Sequence, residues 1–348
     1  MGKLAVAMSG GVDSSLAALV LKQAGHQIVG LSLRLGAGPD QAWRAGAAAA
    51  AQLGLEHRVV EAAGPFEERV LRPVAKAYAG GLTPNPCALC NAKVKLPLLW
   101  EAAREMGCEA LATGHYARLE RSEDGPCLAE AEDRSKSQAY FLAQVAPELL
   151  KRLSFPLGEM EKGRVRELAA QEGLVAAQRP ESQDCCFLPP GGWDEFMEQR
   201  GAIRPGVLED AQGRELGRHQ GLHRFTVGQR RGLGLAMGQP VYVTGLDGGR
   251  AAVRVGARPE LTTLGLEAVR PLWYRPPRDD EEVTVRFRYS HPGVKCRVEP
   301  NGRGLRALFA QEQGAVAPGQ LAVFYRARTI VGSAWIDKAI QPLRIGTS

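Results

Sequence analysis

Several features that define other classes of protein are missing from this 348-residue sequence. No stretch approaches the roughly eighteen consecutive apolar residues that a membrane-spanning helix needs. The first residues enter an apolar run without the basic and apolar regions of a signal peptide, so we expect a cytoplasmic protein with no membrane partner. Internal repeats are also lacking, which argues against a solenoid or a propeller.

Cysteine usage excludes a disulfide scaffold. The chain has 7 cysteines, an odd number in a sequence without a secretion signal, so we expect reduced thiols. Cys87 and Cys90 form a CxxC, but no second CxxC accompanies them, and a structural zinc site normally has four ligands. Structural zinc is therefore the weaker interpretation. The formal charge of +6 is a modest indication of a polyanionic partner.

The most informative segment is the loop SGGVDSS at residues 9–15. It follows the apolar run 4–8 and precedes the apolar run 16–21, which is the order of strand, glycine turn and helix N-terminus that binds anions. The glycines let the backbone approach phosphate oxygens, and the serines add donors. A Gly-Lys-Ser/Thr ending is absent, so this is not the usual nucleoside-triphosphatase loop. The alternative is a glycine turn that only caps a helix.

Residues 1–115 alternate strand-like and helix-like segments, which predicts a doubly wound parallel sheet of the α/β class. The predicted strands are 4–8, 28–33, 57–60 and 110–113. The predicted helices are 15–24, 41–53, 66–79, 92–106, 136–145 and 161–172. Ligands of such sheets bind at the carboxyl ends of the strands, where Ser9 and Gly114 fall.

From about residue 204 the sequence becomes rich in glycine and in short alternating segments, which is typical of all-β structure. The clearest strand patterns are 241–243, 252–255, 283–287 and 321–325. We predict a catalytic domain at 1–203, a small β-rich central domain at 204–271 and a C-terminal β-barrel at 272–348.

Two cysteine segments suggest sulfur chemistry. The first, TPNPCALCN at residues 83–91, reads as a proline-stiffened loop before the helix 92–106, where the helix dipole and the nearby Lys93 and Lys95 favour a thiolate. The second contains Cys185 and Cys186, of which we expect only one to react because adjacent side chains point apart. With an ATP-activating loop, the two segments predict persulfide transfer resolved by thiol–disulfide exchange. The alternative is that these cysteines are small buried hydrophobic residues.

Several long motifs, taken together, resemble one family. The SGGxDS pattern is similar to the PP-loop of ATP pyrophosphatases, and TPNPCxxCN, ATGHY (112–116), FPLGExxK (155–162) and SQDxCF (182–187) occur in order. Further matches lie at 136–142, 221–234 and 317–325. The chain resembles the tRNA-specific 2-thiouridylases, the MnmA/TrmU family, over nearly its whole length.

The resemblance implies roles for individual positions. The implied ATP-binding residues are Ala7, Met8, Ser9, Gly10, Gly11, Val12, Asp13, Ser14, Leu33 and Gly114. The implied contacts of the flipped target base are Asn85, Pro86 and Cys87. The implied tRNA-binding residues are His115, Lys136, Ser137, Gln138, Arg288, Tyr289 and Gln320. Cys186 matches the persulfide-bearing residue and Cys90 its catalytic partner, and these two can form a transient disulfide in the family.

The implied reaction is the ATP-dependent 2-thiolation of the wobble uridine, position 34, of the tRNAs for Lys, Glu and Gln. ATP, with Mg²⁺, adenylates the C2 oxygen, and sulfur then comes from a cysteine persulfide. The sulfur donor would be a cysteine desulfurase or a relay of carrier proteins. In an alternative form of the reaction, Cys87, Cys90 and Cys186 would hold a [4Fe-4S] cluster that carries sulfide.

Some positions depart from the family pattern, and two other functions compete. Ser137 stands where an aspartate is common, Ala139 replaces a serine, the segment after Leu33 is short, and residues 331–336 replace a glycine-rich ending. None of these changes removes a catalytic residue. The competing functions are another PP-loop ligase or amidotransferase, and a tRNA-binding or chaperone-like protein without chemistry.

Overall fold

The computed structural model describes residues 2–36, 42–122, 125–179 and 185–342. The chain forms two compact units. The first comprises Met1–Leu71, Pro86–Pro189 and Arg328–Val331, and the second comprises Arg72–Asn85, Pro190–Ala327 and Gly332–Ser348. No helix in the described ranges is long and apolar enough to cross a membrane.

The regular elements are numbered along the chain. The α-helices are α1 (Val12–Gln23), α2 (Ala42–Gln52), α3 (Ala63–Phe66), α4 (Arg72–Ala79), α5 (Pro86–Cys90), α6 (Leu96–Glu105), α7 (Ala139–Leu142), α8 (Pro147–Leu150), α9 (Lys162–Gln171) and α10 (Gly192–Glu198). The π-helical turns are Glu67–Leu71 and Asn91–Lys95, and the 3-10 turns are Val175–Gln178, Leu222–Arg224 and Arg258–Leu261. The strands are β1 (Lys3–Ala7), β2 (Gln27–Arg34), β3 (Glu56–Glu61), β4 (Ala110–Thr113), β5 (Ala117–Ser122), β6 (Gly125–Glu130), β7 (Leu153–Ser154), β8 (Gly206–Glu209), β9 (Glu215–His219), β10 (Tyr242–Asp247), β11 (Ala252–Gly256), β12 (Thr262–Trp273), β13 (Val283–Arg286), β14 (Val294–Asn301), β15 (Gly304–Gly314), β16 (Leu321–Arg326) and β17 (Thr329–Ile340).

The first unit is built on a parallel sheet in the order β3-β2-β1-β4-β7. The residues in the middle of its central strand β1 are apolar, as expected for a strand that is covered on both faces. Ala5 and Val6 have no exposed surface. Helix α1 packs on this strand, and α9 packs on α1, through a core that includes Leu16 and Val165. The strand order reverses between β1 and β4, so the crevice at their carboxyl ends is the expected ligand site of the sheet. The parallel α/β sheet predicted from the sequence is confirmed.

Two predictions of local structure need correction, one of a helix and one of a loop. Residues 136–145 are helical only at Ala139–Leu142, because Ser137 and Gln138 bind other segments through their side chains instead of extending the helix. The segment 83–91 is not a loop as far as Asn91, because a helix begins at Pro86. Proline suits the first helical position, since its fixed φ fits the helix and its missing N–H has no acceptor there.

The second unit contains two β structures. A four-stranded sheet in the order β10-β11-β8-β9 packs its apolar side chains, among them Leu208, Val243 and Val253, into a small core. Strands β12 to β17 follow in the order β12-β15-β14-β13-β16-β17, and the pairing of β12 with β17 closes them into a six-stranded barrel. Phe287 and Phe324 are almost fully buried in its interior. The predicted β-rich segment and C-terminal barrel are therefore confirmed as folds.

Candidate active site

The loop after β1 lies at the reversal point of the parallel sheet. Ser9 follows β1 and Gly114 follows β4, and these neighbouring strands pair from Leu4 with Ala110 to Ala7 with Thr113. Helix α1 begins at Val12, immediately after the two glycines. The N–H groups in the first turn of an α-helix have no acceptor within the helix, so they are directed at this crevice with the positive end of the helix dipole.

Serine hydroxyls hold the loop in shape. Ser14 Oγ lies 3.2 Å from the Ser9 backbone N–H, which donates to it, and 3.2 Å from Ser9 Oγ. The hydroxyls of Ser14 and Ser15 both donate to the Gly11 carbonyl at 3.0 Å. These contacts close a compact turn and fix its donors in place, which is the preorganisation that anion binding needs.

Two glycines are required by close approaches. Gly10 has φ +75°, and a Cβ there would lie 2.3 Å from Ala45 Cβ. At Gly114 a Cβ would lie 2.7 Å from the Ser14 backbone nitrogen and 2.8 Å from the Asp13 carbonyl carbon. The end of β4 therefore touches the backbone of the first turn of α1, and only glycine fits there.

An ion pair at the loop joins residues that are far apart in sequence. Lys162 Nζ donates to both carboxylate oxygens of Asp13, at 2.7 and 2.8 Å, and the Tyr116 hydroxyl donates to Asp13 Oδ1 at 2.8 Å. The Lys162 side chain is 11% exposed and that of Asp13 31% exposed. Sequence reasoning placed Lys162 and Tyr116 in family motifs but not in the site. Their presence in the same motif set as Asp13 was the only signal available.

The remaining predicted ATP contacts border the same crevice. Met8 is buried, and its carbonyl accepts a hydrogen bond of 2.5 Å from Ser32 Oγ on β2. Leu33 is half-buried near the carboxyl end of β2. Arg179 Nη1 donates to the Gly10 carbonyl at 3.2 Å, and this contact was not predicted. The loop is thus backed by β2 and approached by two cationic side chains, those of Lys162 and Arg179.

The CxxC lies on a helix that continues from Pro86 to Glu105 through a π-helical turn at Asn91–Lys95. π-helical turns often occur at functional sites. Cys87 is exposed on the first turn, whereas Cys90 is buried one turn later. The helix therefore presents two thiols on its first turns with very different access to solvent.

The environment separates the pKa values of these thiols. A hydrogen bond with the Cys185 side chain, assisted by the charge of Lys95, lowers the pKa of Cys87 to about 6 against the opposing effect of burial. Burial raises the pKa of Cys90 to about 11, and the Lys95 charge opposes this only in part. The Cys87 thiol therefore ionises at a lower pH than the Cys90 thiol.

The second cysteine segment reaches the same place. Cys186 has exposed surface, yet partial burial of its thiol raises its pKa. The charge of Lys95 opposes this rise and the charge of Cys87 adds to it. Phe187 anchors the segment by packing against Phe66, with ring centroids 5.8 Å apart. The charge of Lys95 thus acts on the pKa of Cys87, of Cys90 and of Cys186, and the thiols of these three residues also influence one another. The Ser-Gln-Asp part of the SQDxCF motif, residues 182–184, lies outside the described residues.

The thiols of the described residues do not form a ready-made set of metal ligands. Among residues 2–36, 42–122, 125–179 and 185–342, no three Cys, His, Asp or Glu side chains are grouped as metal ligands would be. A hydrogen bond with the Cys185 side chain lowers the pKa of Cys87, and burial raises the pKa of Cys90. Thiolates are the ligands of iron–sulfur clusters, so a three-cysteine cluster would require these side chains to rearrange.

The predicted tRNA-binding residues of the first unit make internal contacts. His115 is half-buried, its Nδ1 lies 2.8 Å from Thr113 Oγ1, and burial and the Lys95 charge lower its pKa to about 3. His115 is therefore neutral at physiological pH. Ser137 Oγ accepts the Ala131 N–H at 3.1 Å, and Gln138 Oε1 accepts the Tyr116 N–H at 3.0 Å, while Lys136 is exposed.

The predicted tRNA-binding residues of the second unit lie on or near the barrel. Arg288 and Tyr289 are exposed. Gln320 Nε2 donates to the carbonyls of Thr83 at 2.9 Å and of Pro84 at 3.4 Å. The barrel thereby holds the segment that leads to Asn85, which is itself buried.

Comparisons with known proteins match most of the chain. A family model described as tRNA methyl transferase HUP domain matches residues 2–190. A PRC-barrel domain model of the same name matches 194–257, and an aminomethyltransferase beta-barrel domain model matches 263–336. Among solved structures, the NMN synthetase of Francisella tularensis is similar over 57% of this chain and 72% of that chain, at 18% identity and a TM-score of 0.36, which is too weak to add to the assignment.

Curated relatives are much more similar. Proteins named tRNA-specific 2-thiouridylase MnmA from Trichlorobacter lovleyi and Pelobacter propionicus are each 41% identical, over 97% of this chain and 98% of their own length. The protein of that name from Chloroflexus aurantiacus is 42% identical over 97% of this chain and 99% of its own. Identity at this level over full length, together with the three matched domain models, establishes the family. The chain belongs to the tRNA-specific 2-thiouridylase (MnmA) family.

Proposed function

We propose that the chain catalyses the ATP-dependent 2-thiolation of the wobble uridine of tRNA. Its relatives are named tRNA-specific 2-thiouridylases. The substrates are the uridine at position 34, ATP and a sulfur donor, and the products are 2-thiouridine, AMP and pyrophosphate. A tRNA substrate agrees with the formal charge of +6. ATP and tRNA together would place the reaction in the cytoplasm.

The observation that carries the proposal is the hydrogen bond from the Tyr116 hydroxyl to Asp13, which joins the phosphate loop to the segment that follows β4. The charge of Lys95 acts on His115, the residue before Tyr116, and lowers its pKa. The same charge lowers the pKa of Cys87 and opposes the rise in the pKa of Cys90 and of Cys186. A nucleotide-activating loop and a group of thiols in one crevice support a reaction that needs both adenylation and sulfur transfer.

The ATP half of the site would activate the oxygen. The C2 oxygen of uridine is a poor leaving group, and transfer of AMP to it makes it a good one. The amides of the first turn of α1 and the hydroxyls of Ser9 and Ser14 would hold the pyrophosphate portion of ATP. Asp13, Ser9 and Ser14 are oxygen donors of the kind that Mg²⁺ prefers, so they fit a magnesium ion, which neutralises phosphate charge when it is bound.

The thiols would then deliver sulfur. A persulfide on Cys186 attacks C2 through its terminal sulfur, and AMP leaves with the former C2 oxygen. Cys90 next attacks the Cys186 sulfur, the sulfur–sulfur bond breaks, and the thiocarbonyl of 2-thiouridine forms with a Cys90–Cys186 disulfide. The proton of Cys90 goes to solvent or a nearby base, and two equivalents of an external thiol then reduce the disulfide. The persulfide itself would come from a cysteine desulfurase or a carrier protein.

The other predicted residues would position the tRNA. We propose that the domains are 1–203, 204–271 and 272–348 and that Asn85, Pro86 and Cys87 line the pocket for the extruded base. Arg288 and Tyr289, which are exposed, would contact the RNA directly. Gln320 would act through the carbonyls of Thr83 and Pro84, which it binds.

A cell-based comparison tests the function. In tRNA from cells that lack the gene for this chain, 2-thiouridine at position 34 should be lost. Expression of the wild-type gene in those cells should restore it. The tRNAs for Lys, Glu and Gln should show the effect, while tRNAs without this modification serve as the control. Unchanged 2-thiouridine in the deletion strain would contradict the proposal, and turnover of a small carboxylate without tRNA would favour a PP-loop ligase.

A further inference from the structure

An arginine side chain is bound to the phosphate loop without a carboxylate partner. Arg179 Nη1 donates to the Gly10 carbonyl at 3.2 Å, although the two residues are 169 positions apart in the sequence. In the part of the chain that the structure describes, the Arg179 guanidinium pairs with no carboxylate. Lys162, the other cation at the loop, is neutralised by its ion pair with Asp13. Arg179 therefore brings an uncompensated positive charge to this loop.

The backbone that leads to Arg179 is fixed by the core of the first unit. The 3-10 turn Val175–Gln178 ends directly before Arg179 and packs on α1 and α9. Leu174, the residue before this turn, is buried in the core that these helices share. The Gln52 side chain, at the end of α2, donates to the Gly173 carbonyl at 2.7 Å and accepts the first N–H of the turn at 3.2 Å. The fold therefore holds the arginine at one place beside the loop.

The Arg179 guanidinium has further donors for an anion. A guanidinium carries five N–H donors in a planar fork, and the hydrogen bond to Gly10 uses one of them. The fork matches two oxygens of a phosphate group, and the contact is stronger than a neutral hydrogen bond because both partners are charged. The N–H groups at the start of α1 attract the same kind of ligand. Arg179 and the helix N-terminus are thus two sources of positive potential at one loop.

We propose that Arg179 is a further catalytic residue, whose guanidinium binds the pyrophosphate portion of ATP and stabilises it as it leaves. This inference rests on the proposed function, in which the loop holds that portion of the nucleotide. The C2 oxygen of uridine attacks the α-phosphorus, the bond from phosphorus to the bridging oxygen breaks, and pyrophosphate leaves with the electron pair. The N3 proton of uridine goes to solvent. Negative charge accumulates on the departing pyrophosphate, so a fixed cation beside it lowers the barrier.

A purely structural role of Arg179 would give a different pattern of ligand affinities. If Arg179 only held the Gly10 carbonyl, its loss would loosen the loop and weaken the binding of ATP and AMP alike. A contact with the pyrophosphate portion affects only those ligands that contain it. ATP and inorganic pyrophosphate contain this portion and AMP lacks it, so these three ligands distinguish the two roles.

Ligand binding to the full chain, without tRNA or a sulfur donor, tests the contact. Calorimetry measures the Kd of ATP, inorganic pyrophosphate and AMP, each with Mg²⁺, for the wild type, Arg179→Met and Arg179→Lys, and thermal melting confirms that each protein is folded. In Arg179→Met we expect the Kd for ATP and for pyrophosphate to rise by about 10-fold to 30-fold, since a charge-assisted contact is lost at an exposed side chain. Arg179→Lys, which keeps the charge but not the fork, should raise both by about 3-fold. The Kd for AMP should not change.

Arg164→Met is the matched control for the loss of one positive charge. Arg164 lies on α9, its side chain is 55% exposed, and it pairs with Glu167 at 3.3 Å. This variant should bind all three ligands as the wild type does. Wild-type affinity for ATP and pyrophosphate in folded Arg179→Met would overturn the proposal. An equal loss of affinity for AMP, or an equal loss in Arg164→Met, would overturn it as well.

A rate measurement separates catalysis from binding. At saturating ATP, tRNA-dependent release of pyrophosphate by Arg179→Met should be slowed by about 10-fold, because the guanidinium stabilises the departing pyrophosphate more than the bound nucleotide. An unchanged rate at saturation would overturn the catalytic role. If the wild-type chain released no pyrophosphate with tRNA, the proposed function would fail, whereas the differences in affinity between the variants would stand.

Discussion

Replacement of Lys162 by methionine tests the role of the ion pair at the phosphate loop. Lys162 Nζ lies 2.7 Å from Asp13 Oδ1, and its side chain is 11% exposed. Methionine keeps most of the packing volume and removes the charge, so the Asp13 carboxylate stays uncompensated beside the incoming phosphates. A like charge at about 5 Å with an effective dielectric constant of about 20 costs about 3 kcal/mol, which is about 100-fold in affinity.

The assay is ATP binding by calorimetry together with tRNA-dependent pyrophosphate release. We expect the Kd and the KM for ATP to rise by about 30-fold to 100-fold in Lys162→Met, because the partial exposure of Asp13 reduces the full Coulomb cost. Lys151→Met is the matched control, since Lys151 pairs with Glu148 at the surface and its side chain is 50% exposed. A folded Lys162→Met protein with wild-type affinity for ATP would refute the reasoning.

Two further predictions concern the glycine contact and the thiols. Gly114→Ala should lower kcat/KM for ATP by about 10-fold to 100-fold, because its Cβ would lie 2.7 Å from a backbone nitrogen and would displace the loop by a few tenths of an ångström or more. Gly163→Ala, where a Cβ meets nothing within 4 Å, should leave these kinetics unchanged, and equal kinetics for both variants would contradict the steric argument. Alkylation by iodoacetamide, mapped residue by residue, should rise with pH through a midpoint near 6 at Cys87 and stay slow at Cys90 until well above pH 9, since only thiolates react. Equal midpoints at Cys87 and Cys90 would contradict the assigned environments.

The sheet and the loop could be predicted because their signals are local. The apolar run at β1, the glycine pair and the start of α1 are contiguous in sequence, and the order of strands and helices implies a parallel sheet. Ser9 and Gly114 were placed at strand ends on this basis, and the structure puts them there. Short alternating segments similarly predicted β10, β11, β13 and β16.

The missed features depend on contacts between distant residues. Lys162 and Asp13 are separated by 149 positions, and no local pattern reveals a hydrogen bond between them. The hairpin of β5 and β6 was not predicted, and residues 136–138 were assigned to a helix although Ser137 and Gln138 bind the backbone of Ala131 and Tyr116. Tertiary hydrogen bonds outweigh intrinsic helix propensity in such short segments.

At the thiol site, too, features with a local sequence signal could be predicted and contacts between distant segments could not. The resemblance to the family named Cys90 and Cys186, and the CxxC suggested the stabilised thiolate. The contact between Cys87 and Cys185 could not be predicted, because it depends on how two segments nearly a hundred residues apart pack around Lys95. The expectation that only one of the two adjacent cysteines reacts concerned sulfur transfer, and it stays a prediction.

Formation of 2-thiouridine by the purified chain tests the central claim most directly. The reaction contains ATP, Mg²⁺, unmodified tRNA and a persulfide-forming sulfur donor, and nucleosides are measured by mass spectrometry. We predict 2-thiouridine with the wild-type chain and with Cys296→Val, a control that removes a buried barrel thiol. Cys186→Ser should bind tRNA as the wild type does but form no 2-thiouridine, and wild-type product formation by that variant would contradict the account.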